Sequence, residues 1–443
     1  MTEGIDCETE MLNIVIQNDA ITCPESDQQW LQSMLQRQSK QEVPKPKIQR
    51  VSPMLRRIEA NKSCYDPLVV SIGPYHHGNP DLQLMEDLKF SMACQYANDE
   101  AQLLEHLYNK VMAVAEDARK CYTEGSTEIF DQNEFTRMMF LDGCFVLQFI
   151  RCFLYDRQQL KMNIFVAAFV RRDLFLIENQ LPFKVLKELM SLKFNEDEWK
   201  KTFTDFVAQI GAPSSLPNKL VQFEDQPAHL LDIIHTHLID KAALAPPPPS
   251  RQSQRDWYTY RSAKDLKEAG IYFRSSKSHR FTDVEFKSTF SVGLLKLPPI
   301  IIDDSTKSLL LNMVGYEESR DLTDDFGVSS YICFMGSLID RAEDVKELRS
   351  KGILMNFLGT DQQVVELFTE MAENLVWNPY AYANVKEKVE RHYKNKIKNW
   401  MAEWLNTNFI SPWTVLALIG AIYALFVSIL EAYQSIYPAD QKH

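Results

Sequence analysis

The sequence predicts a mainly α fold: a large helical domain carrying a small antiparallel β patch, followed by one C-terminal transmembrane helix. Three observations lead there. Glycine is scarce, 14 of 443 residues, which argues against a many-turned β-sandwich and against the Gly-rich loops that cradle phosphates. Several long segments are apolar at helical spacing. Lastly, Trp413 to Leu430, WTVLALIGAIYALFVSIL, runs for eighteen residues without a charge. At ~1.5 Å rise per residue it covers roughly 27 Å, close to the ~30 Å hydrocarbon core.

That last stretch organises the chain. Ser411 can cap the first free N–H groups and Pro412 suits the first helical turn, so the span is drawn at 411–432, with a short tail at 433–443. Lys394, Lys396 and Lys398 precede it and only Lys442 follows. By the positive-inside rule the N-terminal domain is then cytoplasmic, on the plasma membrane or the endoplasmic reticulum. Gly420, Ala424 and Ser428 recur every four residues, with Ala417 and Ala421 beside them, a small-residue face along which spans associate with like or unlike partners.

Composition narrows the partners. The formal net charge of −12 makes nonspecific nucleic-acid binding unfavourable. The opening MTEGIDCETE is acidic where an export signal needs a basic start. The eight cysteines form no CxxC pair and suit a reducing compartment.

From the N-terminus, residues 1–47 read as an appendage with a short helix near Gln28–Gln38, ending in the extended EVPKPK stretch. The main domain runs over 48–408. Leu68, Val69, Val70 and Ile72 form a short apolar run closed by Gly73 and Pro74, and one helix is expected from about Leu84 to Cys121, with Glu86 and Lys89 on one face. Met138 to Phe153 is apolar nearly all round, a helix for the centre of the core; Asp142, Gln148 and Arg151 interrupt it too much for a second span. Leu174 to Ile177 run into Asn179, and Pro182 opens a helix with Val185, Leu186 and Leu189 on one side. A helix at His229–Leu244 leads into a linker at 245–256, where Pro246 to Pro249 favour an extended chain. Beyond it come a short helix stopped by Gly270, β segments around Phe281 to Val292, and a partner strand Leu294 to Ile302 broken at Pro298 and Pro299. Helices resume over Ser305 to Ala372, with Asp361 as a cap, and a last soluble helix, Ala383–Leu405, approaches the span.

Chemistry is harder to find. Tyr75, His76 and His77 with Glu86 are the best acid–base grouping, yet adjacent histidines in an extended turn point to opposite sides and do not make the i, i+4 pair of a zinc helix. Asp173, Glu178 and Asn179 are explained by capping of a helix start. Cys144 sits in the most apolar helix, where burial raises a thiol pKa. No GxSxG, Walker A or HExxH pattern occurs. No catalytic, metal or cofactor residue is therefore assigned, and a hydrolase or transferase built on Tyr75, His76, His77 and Glu86 is the alternative reading.

Taken together, the blocks VSIGPYHHG, LMEDLKF, MMFLDGCFVLQFI, DLFLIENQLPF, SAKDLKEAGIYF, the stretch from VEFKSTF to GYEES, the stretch from SSYICFMG to GTDQQV, and NFISPWTVLALIGAIYALF resemble the plant family called domain of unknown function 247. The resemblance runs from about Ile48 to Tyr437. Its motif positions here are Gly73, Pro74, Tyr75, His76, His77, Gly78, Glu86, Lys89, Asp142, Gly143, Glu178, Asn179, Gln180, Leu181 and Pro182. The family is mostly uncharacterised, and some grass members are implicated as pollen-side determinants of self-incompatibility. The resemblance thus implies a membrane-attached recognition or signalling role through an unidentified protein partner.

Overall fold

The computed structural model describes residues 25–39, 48–210, 227–244, 261–289, 292–320, 326–394, 420–421 and 423–429. Two compact units result, Met1–Lys45 and Pro46–His443. In the first, α1 (Glu25–Ser39) covers the helix expected at Gln28–Gln38.

The second unit is mainly helical. A one-turn helix α2 (Pro53–Arg56) begins it. The expected helix from Leu84 to Cys121 is instead two, α3 (Gln83–Tyr96) and α4 (Ala101–Arg119). Between them Asn98 and Asp99 take φ of 54° and 58°. Asn and Asp tolerate this left-handed conformation, so the break costs little and folds α4 back onto the next helix.

That next helix, α5 (Gln132–Tyr155), starts at a capping box of Asp131 and Glu134 and is the centre of the core, as its composition predicts. By length and hydropathy it could cross a membrane, but 72% of its apolar eighteen-residue window is buried inside the domain. Around it lie α6 (Ile164–Asp173), α7 (Phe183–Ser191) and α8 (Glu196–Ala208). The segment predicted as a helix at His229–Leu244 is α9 (Leu230–Leu238) plus a 3₁₀ turn at Lys241–Leu244, with His229 as N-cap. The proline linker lies outside the described residues.

After α10 (Ala263–Glu268), the β patch differs from the antiparallel expectation. Strand β1 (Ile271–Ser275) pairs in parallel with β3 (Gly293–Leu297), which pairs antiparallel with β2 (Glu285–Ser288). Pro298 and Pro299 donate no N–H, which ends the ladder there. The chain then changes sheets, and β4 (Ile300–Ile302) runs parallel to β5 (Leu354–Asn356). The alternation of Ile271 and Phe273 inward with Tyr272 and Arg274 outward was the available sign of β1.

Helices α11 (Thr306–Ser319), α12 (Gly327–Leu338), α13 (Ala342–Ser350) and α14 (Asp361–Ala372) complete the domain. The cap of α14 is Thr360, not Asp361: its hydroxyl accepts from the Gln363 N–H, and Asp361 is the first helical residue. Residues 383–394 of the last expected helix are helical, with Val385, Val389 and Tyr393 packed on the core.

Candidate functional site

The resemblance positions converge on one buried segment. Val70 to Pro74 is buried, while Leu68, expected inside, is exposed. Among the described residues no strand pairs with this segment, so its backbone groups need other partners. A buried N–H or C=O left unpaired costs about 1–3 kcal/mol.

Side chains supply those partners. The Asp173 carboxylate, at the end of α6, accepts from the N–H groups of Leu68, Val69 and Val70 at 2.9, 2.8 and 3.2 Å. Its other oxygen takes the Arg172 guanidinium at 2.7 Å. Burial pushes the Asp173 pKa up, against these donors. Asn179 brackets the segment from both sides, accepting from the Ile72 N–H at 2.6 Å and donating to the Val70 carbonyl at 3.1 Å. Asp142, in the middle of α5, accepts from the Gly73 N–H at 2.8 Å.

Lys89 ties the arrangement to α3. Its ammonium lies 2.6 Å from Asp142, 2.7 Å from Glu86 and 2.6 Å from the Ser71 carbonyl, and it is fully buried. Burial disfavours the charge, but Asp142 and Glu86 outweigh it and raise the Lys89 pKa. At Gly73, φ is +73°, and an added Cβ would meet the Gln180 carbonyl at 2.9 Å and the Tyr122 hydroxyl at 3.0 Å. Only glycine fits both the angle and the space. Gln180 in turn donates to the carbonyls of Leu174 and Leu176 and accepts from the Leu231 N–H. Leu181 is buried, and Pro182 is the N-cap of α7.

The grouping of Tyr75, His76 and His77 with Glu86 is not assembled. Glu86 is engaged by Lys89, whereas the carboxylate nearest His76 is Glu178, at 3.5 Å. His77 is exposed, its ring edge-on to Phe130, and Gly78 has φ +78° at the turn. Tyr75 donates to the Ile48 carbonyl at 2.9 Å. Burial lowers the His76 pKa despite Glu178 beside it. Capping does not explain the carboxylates either, because Glu178 accepts from the Val51 N–H at 2.8 Å and pairs with Arg56 at 3.1 Å. Both acids reach across more than a hundred residues, which sequence spacing could not reveal.

A second buried polar set joins α9, α11 and α12. His235 meets Glu317 at 3.0 Å, and Glu317 also takes the first N–H groups of α12, from Val328 and Ser329. Asp232 accepts from the Tyr316 hydroxyl at 2.6 Å. Burial opposes the Asp232 charge, yet His229, Tyr316 and the Ala228 N–H bring its pKa below the usual range. His237 is pushed down to about 4 by burial and by the charges of His279 and Arg280. Cys144 is buried and its thiol pushed up. Cys144 behaves as expected from its apolar helix, and His235 and His237 read from sequence as satisfied core or surface histidines, but Asp232, Glu317 and Asn312, which holds the Ile177 N–H at 2.9 Å, were missed in the sequence. The available signal was a polar residue inside an apolar helical run, as in LLLNMVGYEES.

A cavity of about 130 Å³ opens between α6 and α11, rimmed by Arg171, Asp303 and Thr306 over Phe175 and Ile210. Asp303 is already engaged by Ser305 and Thr306. Among the described residues no group of three His, Cys, Asp or Glu side chains is placed to hold a metal.

Of the membrane-related positions, Lys394 pairs with Glu390 at 3.6 Å. Gly420, Ala424 and Ser428 lie on helical, exposed residues, while Lys396, Lys398, Trp413 and Leu430 are outside the described residues.

A family model described as a plant protein of unknown function, DUF247, matches residues 48–427. The UPF0481 protein At3g47200 of Arabidopsis thaliana is 29% identical over 420 residues, covering 87% of this chain and 86% of that protein. The putative UPF0481 protein At3g02645 of the same plant is 22% identical over 476 residues, covering 85% and 88%. No solved structure matches the chain.

Proposed function

From the premise that the chain belongs to the plant DUF247 family of unknown function, we propose that it is a single-pass membrane protein whose cytoplasmic domain recognises or signals to a protein partner. The observation that carries the membrane part is the exposed apolar helix near the C-terminus. Tyr423, Leu425, Phe426 and Ile429 are 58–69% exposed along residues 423–429. Large apolar side chains this exposed along a run of helical residues are suited to lipid.

The recognition part is supported by where the motif chemistry goes. Asp142, Asp173, Asn179 and Gln180 spend their hydrogen-bonding capacity on buried backbone groups and on Lys89 and Arg172, so the buried segment is a rigid platform, and discrimination falls to the surface around it. Self-incompatibility-like recognition fits such a division. In the bilayer, Gly420, Ala424 and Ser428 offer a close-packing face, and an added Cβ at Gly420 meets nothing within 4 Å.

Protease added to sealed microsomes is expected to digest the domain and spare the C-terminal helix. A protected domain would refute the proposed orientation. Proximity labelling from the intact chain is expected to return a reproducible partner set, one that the double substitution Gly420→Ile and Ala424→Ile depletes of span-dependent members. Labelling no richer than that from an unrelated anchored protein would overturn the recognition reading.

A further inference from the structure

From Arg157 to Arg172 the chain reads RQQLKMNIFVAAFVRR, with Arg157, Lys161, Arg171 and Arg172 as charges and no acid among them, in a protein of net charge −12. Helix α6 begins within this stretch and ends one residue beyond it, at the buried Asp173. One side of it is committed to the core, through Ala167 and Val170. The other is bare: Ile164, Phe165 and Phe169 are 68, 75 and 44% exposed. Two large side chains exposed to this degree on the first turn of a helix stand proud of the surface.

The cations flank this apolar triplet. The Arg157 and Arg171 guanidinium groups both lie against the Phe153 ring, at 5.0 and 6.0 Å from its centroid. Lys161, whose φ of 52° turns the chain into α6, is exposed and donates to Ser91 on α3. The acids at the edge are engaged, Asp156 by Gln159 and Asp205 by Tyr155. Arg172 faces inward to Asp173 and Arg171, half-buried, lies 3.9 Å from Asp303, which leaves Arg157 and Lys161 for the surface.

We propose that this face of α6 docks on an anionic lipid surface, with Ile164, Phe165 and Phe169 entering the headgroup layer and Arg157 and Lys161 meeting lipid phosphate or carboxylate groups. Protruding aromatic and aliphatic side chains beside cations match the layered polarity of a bilayer interface, apolar below and anionic above. Charge complementarity selects an anionic lipid surface over the identical face of a second copy, which presents the same cations. The docking does not rest on the C-terminal helix being inserted, since a lipid surface approached from solution would serve equally.

Hydroxyl-radical footprinting of the intact chain reads the side chains directly. Lipid nanodiscs of phosphatidylcholine alone, or with phosphatidylserine, are used both for reconstitution and as an addition to the detergent-solubilised protein. The second arm separates this docking from any failure of the C-terminal helix to insert. Oxidation of Phe165 and Phe169 is expected to fall several-fold with phosphatidylserine discs, while the exposed Phe357 and Ile129 are unchanged. The exposed-site double variant Arg157→Glu, Lys161→Glu is expected to restore oxidation with little effect on the melting temperature. Unchanged oxidation of Phe165 in anionic discs would overturn the proposal. So would equal protection by neutral discs that survives the double variant, or protection in detergent that depends on protein concentration, which would assign the face to a second copy.

Discussion

Lys89 is the residue on which the buried segment turns, because one ammonium serves Asp142, Glu86 and the Ser71 carbonyl at once. Removing one member of a buried charge group leaves the others uncompensated, at a cost of roughly 3–5 kcal/mol. Lys89→Met, which keeps the length and loses the charge, is therefore expected to destabilise by about that amount in a thermal melt. The sign of its pH dependence follows from the raised pKa. The stabilisation is fully present below the ordinary lysine value of 10.5 and is lost only as pH rises through the still higher folded value. The gap between wild type and variant should accordingly stay level from about pH 6 to 9. A gap that closes within that window would show that Lys89 is not held charged. The i, i+3 spacing of Glu86 and Lys89 was legible in the sequence, since a helix alone brings them together. Asp142 and Asp173 were not, because their partners are backbone groups 69 to 105 residues distant.

At the scale of elements, the core helix α5 was legible and its neighbours less so. Its apolar run from Met138 to Phe153 is a local fact, although the helix starts earlier, at the Asp131 capping box, which was not read. The break between α3 and α4 rests instead on two left-handed residues that continuous helical spacing conceals. The β patch was misread for a similar reason: strand alternation is local, but pairing direction is set by which element lies alongside. Packing of α5 on α7 gives a test. Gly143 lets the helices close up, and an added Cβ would lie 2.5 Å from the end of Leu189 and 3.5 Å from Val185. Gly→Ala in a helix normally gains about 1 kcal/mol, while overpacking a core costs about 1–3 kcal/mol. With Leu189 fully buried, the crowding is expected to win. Gly143→Ala should lower stability by about 1 kcal/mol, and adding Leu189→Val should recover part of the loss. A stabilised single variant, or two changes that simply add, would mean the helices do not meet through this glycine.

For the whole molecule, the decisive question is whether the parts on either side of the proline linker fold together. Hydrogen bonds cross it repeatedly. The Phe281 N–H donates to the Leu238 carbonyl at 2.7 Å, Asn312 holds the Ile177 N–H, and Ser308 donates to the Cys64 carbonyl at 2.6 Å. Apolar packing crosses as well, since Gly327 of α12 lies against Ile239 and Leu244. A fragment of residues 49–241 would leave α9, with Ile233, Ile234 and Leu238 buried in the intact chain, without the α11 and α12 side of its surroundings. Burying each such side chain contributes about 1.5–3 kcal/mol, a large share of the 5–15 kcal/mol by which a domain is ordinarily stable. His235 and Asp232 would lose Glu317 and Tyr316 besides. Expressed alone, the fragment is expected to aggregate or to melt without a cooperative transition, and co-expression with residues 261–394 should improve its solubility. A soluble, sharply melting 49–241 fragment would instead establish two independent folding units, with the cross-linker hydrogen bonds serving only to dock them.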